Sequence, residues 1–181
     1  MNQRRFEELA ILKQKTRVGI FGSFFEDHKK ELTNLQHYLH DILGYDARIS
    51  ENLEKDLSRF HPEKSIRDYS VSELLIEDSH IHILVFPFPK ETDPHHLSQS
   101  VTMEYTMIRE RKKPHVVVLV EEGLQENIRN SFGGVMKGSL KVENPGFEYE
   151  IIEYKKIKDT YSELTMILYR FISEIWESHF H

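Results

Sequence analysis

Two hydrophobic patterns share this chain: short unbroken apolar runs, and longer stretches whose apolar residues return every three or four positions. The first run, Arg17–Gly22, carries Val18, Ile20 and Phe21 and stops at Gly22-Ser23. An amphipathic pattern starts at Asp27, so the run reads as a buried parallel strand handing over to a crossover helix. That helix has Leu32, Leu35, Leu39, Ile42 and Leu43 on its apolar side, and Gly44 supplies its stop. Tyr45–Ser50 is a weaker strand carrying Asp46 and Arg48, which suits a sheet edge. Residues 51–67 are polar, contain Pro62 and read as a loop with one helical turn. Ser70-x-x-Glu73 has the form of a capping box opening a helix through Val71, Leu74, Leu75 and Ile76.

The third strand is His80–Pro87, with a continuous apolar core at Ile83–Phe86. A long polar loop, Phe88–Gln99, follows. Ser98 or Ser100 is placed to cap the next helix, which reads to about Lys113 with Val101, Tyr105 and Ile108 toward the sheet. Pro114 separates it from the fourth strand, His115–Val120, the most obviously buried run in the chain. Residues 123–146, with Gly133-Gly134, Gly138 and Pro145, read as a mobile insertion. Tyr149–Tyr154 alternates apolar residues with Glu and suits the opposite edge. A second capping box, Thr160-x-x-Glu163, precedes a helix striped by Leu164, Ile167, Leu168, Phe171, Ile172 and Ile175. Ahead of all this, residues 1–15 form a helical arm with Phe6, Leu9 and Leu12 on one side, for packing at the domain edge or for self-association.

Strands alternating with amphipathic helices predict one α/β domain over residues 16–181: three layers, a parallel sheet with helices on both faces, right-handed crossovers. Five strands favour the flavodoxin-like order 2-1-3-4-5, whose switch point lies between the first and third strands. The loops meeting there are Gly22–Glu26 and Pro87–Ser100.

Composition narrows the function classes. The 181 residues are 39% hydrophobic and 30% charged, with a net charge of −6, which argues against a nucleic-acid binder needing a basic face. No run approaches the ~18 apolar residues of a membrane span, and the N-terminus lacks a secretory apolar core. With no cysteine, disulfides, thiolate metal sites and cysteine nucleophiles are excluded, and a cytoplasmic chain is the default expectation.

Among residues able to carry chemistry, Glu104 stands out. It follows the Ser cap candidates by four or six positions, in the first turn or so of the helix after the third strand, where the helix dipole favours an ionised carboxylate. A carboxylate held there can support an oxocarbenium-like transition state in N-glycosidic bond chemistry; the same dipole also favours an ordinary first-turn Glu. Gly22 and Ser23 permit close backbone approach to a phosphate or ribose, and Phe24 or Phe25 can stack on a base or fill the core. No G-x-G-x-x-G, Walker lysine or G-x-S-x-G occurs. His80 and His82 alternate on one strand and His95-His96 adjoin in a loop, spacings that do not specify a metal site. Glu121-Glu122 follow the fourth strand and can meet a ribose hydroxyl or end a solvated loop.

Over about residues 17–121 the chain resembles the nucleoside 2-deoxyribosyltransferase-like superfamily and the related TIR domains. Gly22-Ser23-Phe24-Phe25 is similar to the transferase's Gly-Pro-Phe-Phe turn, with Ser23 in place of Pro. Ser23 with Glu26 or Asp27 resembles the box that opens TIR domains. The segment SQSVTMEYTMIRERKKPHVVVLV resembles the transferase segment in which a nucleophilic Glu opens a helix ahead of Gly-Lys-Pro and a buried strand; here these are Glu104 and Lys113-Pro114. Ser98 has the offset of the TIR Ser, six residues before the Glu. The transferase's Asp-x-Gly-Thr is replaced by Ser98-Gln99-Ser100-Val101, and Ser100 stands where TIR domains carry Trp. The resemblance implies Glu104 as catalytic residue. It implies Gly22, Ser23, Phe24, Phe25, Pro87, Phe88, Ser98 and Ser100 as substrate contacts for a nucleoside or nucleotide. It implies no metal or cofactor, NAD entering only as a substrate, and a homo-oligomer as a possible assembly. The alternatives it leaves open are a non-catalytic nucleotide sensor and a TIR-like NAD hydrolase or protein-interaction module.

Overall fold

In a computed structural model the apolar runs become five parallel strands. The structure describes residues 3–23, 26–57, 63–87, 99–122 and 147–177. The strands are β1 (Arg17–Phe21), β2 (Asp46–Ile49), β3 (Ile81–Phe86), β4 (Val116–Glu121) and β5 (Tyr149–Tyr154). Their order is β2-β1-β3-β4-β5, and every neighbouring pair is parallel. The helices are α1 (Gln3–Lys15), α2 (Glu26–His37), α3 (Ser50–Leu57), α4 (Lys64–Asp78), α5 (Gln99–Glu110) and α6 (Tyr161–Glu177). This is the three-layer, flavodoxin-like α/β fold expected from the sequence.

Alternation along each strand divides the interior into two cores. Val18 and Ile20 of β1, with Ile83 and Val85 of β3 and Val117 and Leu119 of β4, face Leu32 and Leu35 of α2, Leu39 just past its end, and Leu164, Leu168 and Phe171 of α6. On the other face Phe21, Leu84, Phe86, Val118 and Val120 meet Leu53 of α3, Val71 and Leu75 of α4, and Val101, Tyr105 and Ile108 of α5. β3 and the first five residues of β4 are buried throughout, as expected for strands covered on both faces.

Local signals and structure part company in five places. The stretch expected as a loop over 51–67 instead carries α3 and the start of α4. Burial of Leu53 against the second core overrides the polar composition. Ser70 and Glu73 therefore lie inside α4 and form no capping box at its start. Ile42 is 72% exposed, because α2 continues into a π-helical segment, Tyr38–Ile42, whose wider turn rotates that position off the buried stripe. α5 ends at Glu110 rather than near Lys113. There the Lys113 N–H donates to the Ile108 carbonyl and that of Lys112 to Arg109, while Lys112 takes a left-handed φ of 49°. This is a Schellman stop built without glycine. Thr160 sits in a 3-10 turn, Ile157–Thr160, and its hydroxyl donates to the Ile157 carbonyl at 2.7 Å, so it caps no α6 amide in the expected box. Gly44 does end α2 as expected, at φ 82°.

Candidate functional site

Because β1 and β3 pair in parallel with Phe21 beside Leu84, Gly22-Ser23 and Pro87 leave the sheet side by side at its carboxyl edge. Gly22, Ser23 and Pro87 are all buried. A Cβ on Gly22 would lie 2.7 Å from Leu32 Cδ2, so the missing side chain makes room for α2 in the first core. Phe24, Phe25, Phe88 and Ser98 lie outside the described residues, as do His95, His96 and the 123–146 segment.

Glu104 is in the second turn of α5, and only 5% of it is exposed. It belongs to the helix stripe of Val101, Tyr105 and Ile108, all buried, which turns it inward. There the Ser72 hydroxyl of α4 donates to Oε1 at 2.8 Å, while Oε2 is buried with no hydrogen-bond partner among the described residues. Burial pushes the Glu104 carboxyl up to about 8, with the Ser72 hydrogen bond acting weakly in the opposite direction. The expectation that the helix dipole holds an ionised carboxylate is thereby corrected. Desolvation of a charge in an apolar interior outweighs a dipole worth about 1 kcal/mol.

Among the described residues, the serine that meets Glu104 comes from α4. Ser100 is exposed and lies inside the first turn of α5, so it neither caps the helix nor orients the carboxyl. Ser72 does, from a helix that sequence reading starts too late. Nothing in its neighbourhood, YSVSELL, marks it; only the side-by-side packing of α4 and α5 joins it to Glu104. Lower on the same interface Glu73 and Glu77 receive Arg111, and Glu77 receives Lys113. These pairs hold the helices together and spare Glu104 a cationic neighbour.

No family model, curated protein or solved structure matches the chain. Its function therefore rests on its own residues.

The two strand-end histidines, His80 and His82, resolve into packing. His82 is fully buried, donates from Nε2 to the Ile76 carbonyl at 3.0 Å and stacks on Phe21. Desolvation lowers its ring to about 4. His80 accepts the Arg17 backbone N–H through Nδ1. Among the described residues no group of three or more His, Asp or Glu could hold a metal ion, and no helix is long and apolar enough to cross a membrane. Burial raises the pKa of Tyr154, and the charges of Glu121, at the end of β4, and of Glu31 add to that shift. Tyr154 donates to the Phe86 carbonyl, and Glu122 pairs with Lys155.

Proposed function

We propose that this protein binds a nucleoside or nucleotide at the carboxyl edge of the sheet and acts on its N-glycosidic bond, with Glu104 as the catalytic carboxyl. One observation carries the reading: a carboxyl buried in an apolar interior, anchored through one oxygen and with the other unused. Buried polar atoms are nearly always satisfied, and strongly perturbed carboxyls cluster at functional sites. The carboxyl neither projects into solvent nor is neutralised by a basic side chain, either of which would argue for a plain surface or ion-pair role. The switch-point position of Gly22, Ser23 and Pro87, where open α/β sheets take ligands, supports the same reading, with Phe24, Phe25, Phe88, Ser98 and Ser100 as further contacts. The resemblance to the deoxyribosyltransferase-like and TIR proteins supplies the ligand class. A cytoplasmic setting fits a chain without cysteine, and a second copy of the chain is a candidate partner.

The test is incubation with deoxynucleosides and NAD while free base and nicotinamide are followed chromatographically. The expected result is turnover that Glu104→Gln lowers by about 10²-fold or more. The variant keeps the shape and an acceptor for the Ser72 hydroxyl, and its fold is checked by circular dichroism beside the assay. No turnover by the wild type, or equal turnover by the variant, removes the enzymatic reading. A second reading, a nucleotide sensor without catalysis, is favoured by the largely neutral state of Glu104 at pH 7, which makes it a poor resting nucleophile. Stabilisation against heat by a nucleoside that is never cleaved selects it.

A further inference from the structure

We infer that Glu104 serves its site as a neutral acid, presenting the Oε2 proton to an unprotonated nitrogen or carbonyl oxygen of the ligand. The inference rests on the nucleoside reading above for the ligand's class and on the geometry of the carboxyl for the rest. Ser72 donates to Oε1, so Oε1 is the accepting oxygen of the acid and the proton belongs on Oε2. In the free protein that atom is shielded from solvent and finds no acceptor among the described residues. A buried donor without an acceptor is costly, and a ligand lone pair removes the cost where another N–H cannot.

The surroundings favour the neutral form from every side. From α4 the carboxyl meets the uncharged Ser72, while Glu73 and Glu77 of that helix are engaged by Arg111 and Lys113. On α5 its neighbours in the stripe are Val101, Tyr105 and Ile108, and Arg109 acts on Tyr149 of β5 instead. From the sheet this core presents Phe21, Leu84, Phe86 and Val118, with His82 occupied at the Ile76 carbonyl. Ionisation of the carboxyl is governed by burial and Ser72, with no charged side chain contributing.

In cleavage the C1′–N bond breaks and its electron pair stays on the base. The Oε2 proton passes to the base, and the new carboxylate faces the sugar cation. Water adds to C1′ and returns its proton to the carboxylate. The sum is nucleoside plus water giving free sugar and free base. A carboxylate nucleophile has the opposite pH signature, because it must lose its proton before reacting.

Two measurements test this. The carboxyl resonances of 13C-glutamate-labelled protein are titrated, with Glu104 assigned by its loss in Glu104→Gln; a midpoint near 8 is expected, and one below about 5, the ordinary range, overturns the inference while leaving the nucleoside reading intact. Calorimetry then compares adenosine with its 3-deaza and 7-deaza analogues at about pH 6.5 and about pH 9.5, where wild type is expected to bind adenosine about tenfold more tightly at the lower pH. One analogue should lose that advantage, and Glu104→Gln, whose amide N–H still donates, should bind equally at both. Wild-type affinity equal at the two pH values overturns the inference. Binding of no nucleoside at either pH removes the nucleoside reading instead, and the titration alone then decides whether Glu104 is a neutral donor.

Discussion

Glu104 and His82 are both buried in the second core, and they pull stability in opposite directions along the pH axis. The folded protein keeps the Glu104 proton up to about pH 8, against an ordinary value of 4.5. Its contribution is therefore fully present below about pH 4.5 and is lost as pH rises through 8. The folded state keeps His82 neutral down to about 4, against an ordinary 6.5, so that contribution is present above 6.5 and is lost as pH falls through 4. Each group changes stability by at most about 1.4 kcal/mol per pH unit while only one state holds the proton. Between about pH 4.5 and 6.5 the two slopes offset. From about 6.5 to 8 Glu104 acts alone, and urea unfolding is expected to show stability falling by about 2 kcal/mol across that window. Glu104→Gln should abolish the fall, since its amide does not titrate. A wild type equally stable at both ends of the window would mean the carboxyl is hydrated in solution, and the acid role assigned to it would go as well.

At the scale of elements, the turn after β1 shows how one residue type serves two different ends. Gly22 reads in sequence as a place for a ligand to approach the backbone, yet its Cβ position is taken by Leu32 of α2, which is 1% exposed. Gly22→Ala is expected to destabilise by about 1–3 kcal/mol through overpacking. The same change in a Leu32→Ala background should cost much less, because the colliding methyl is gone; the two variants against their parents in chemical denaturation measure this. Equal costs in both backgrounds would return Gly22 to a role in backbone conformation or ligand approach. Strands were readable from the chain because continuous apolar runs such as Ile83–Phe86 have no other stable place than a doubly covered sheet. Helix ends were not. α3 lies in a polar segment and buries Leu53, α4 starts before its apparent box, and α5 stops on Lys112 rather than on glycine. The candidate site was half readable for the same reason: Glu104 draws notice through its position after β3, though not through its burial. Ser72 does not, since its partner lies 32 positions away and meets it only once α4 and α5 lie together.

Over the whole molecule, alternation of strand and helix settles the order of the sheet, and that order brings Gly22-Ser23 and Pro87 to one edge. It does not settle what lies outside the alternation, and α1 is the test of that. As an arm of residues 1–15 it could pack at home or join a second chain. In the structure Leu9 and Leu12 pack on the first core, and Lys13 donates to the Tyr169 hydroxyl at 3.0 Å while lying over that ring. Where the helix ends, Thr16 is bound twice: its hydroxyl donates to the Leu12 carbonyl and accepts Trp176 Nε1–H from the end of α6. The C-terminal ends of α1 and α6 are thus tied at one corner of the first core. Two half-buried leucines are worth about 1–2 kcal/mol each, so Leu9→Ala with Leu12→Ala is expected to lower stability by about 2–4 kcal/mol. The same pair should leave the sedimentation coefficient unchanged. Because α1 lies on the face opposite Glu104, the double variant should also keep the carboxyl's titration near 8. Loss of a dimer with little loss of stability would instead make α1 an assembly element whose leucines serve a second chain.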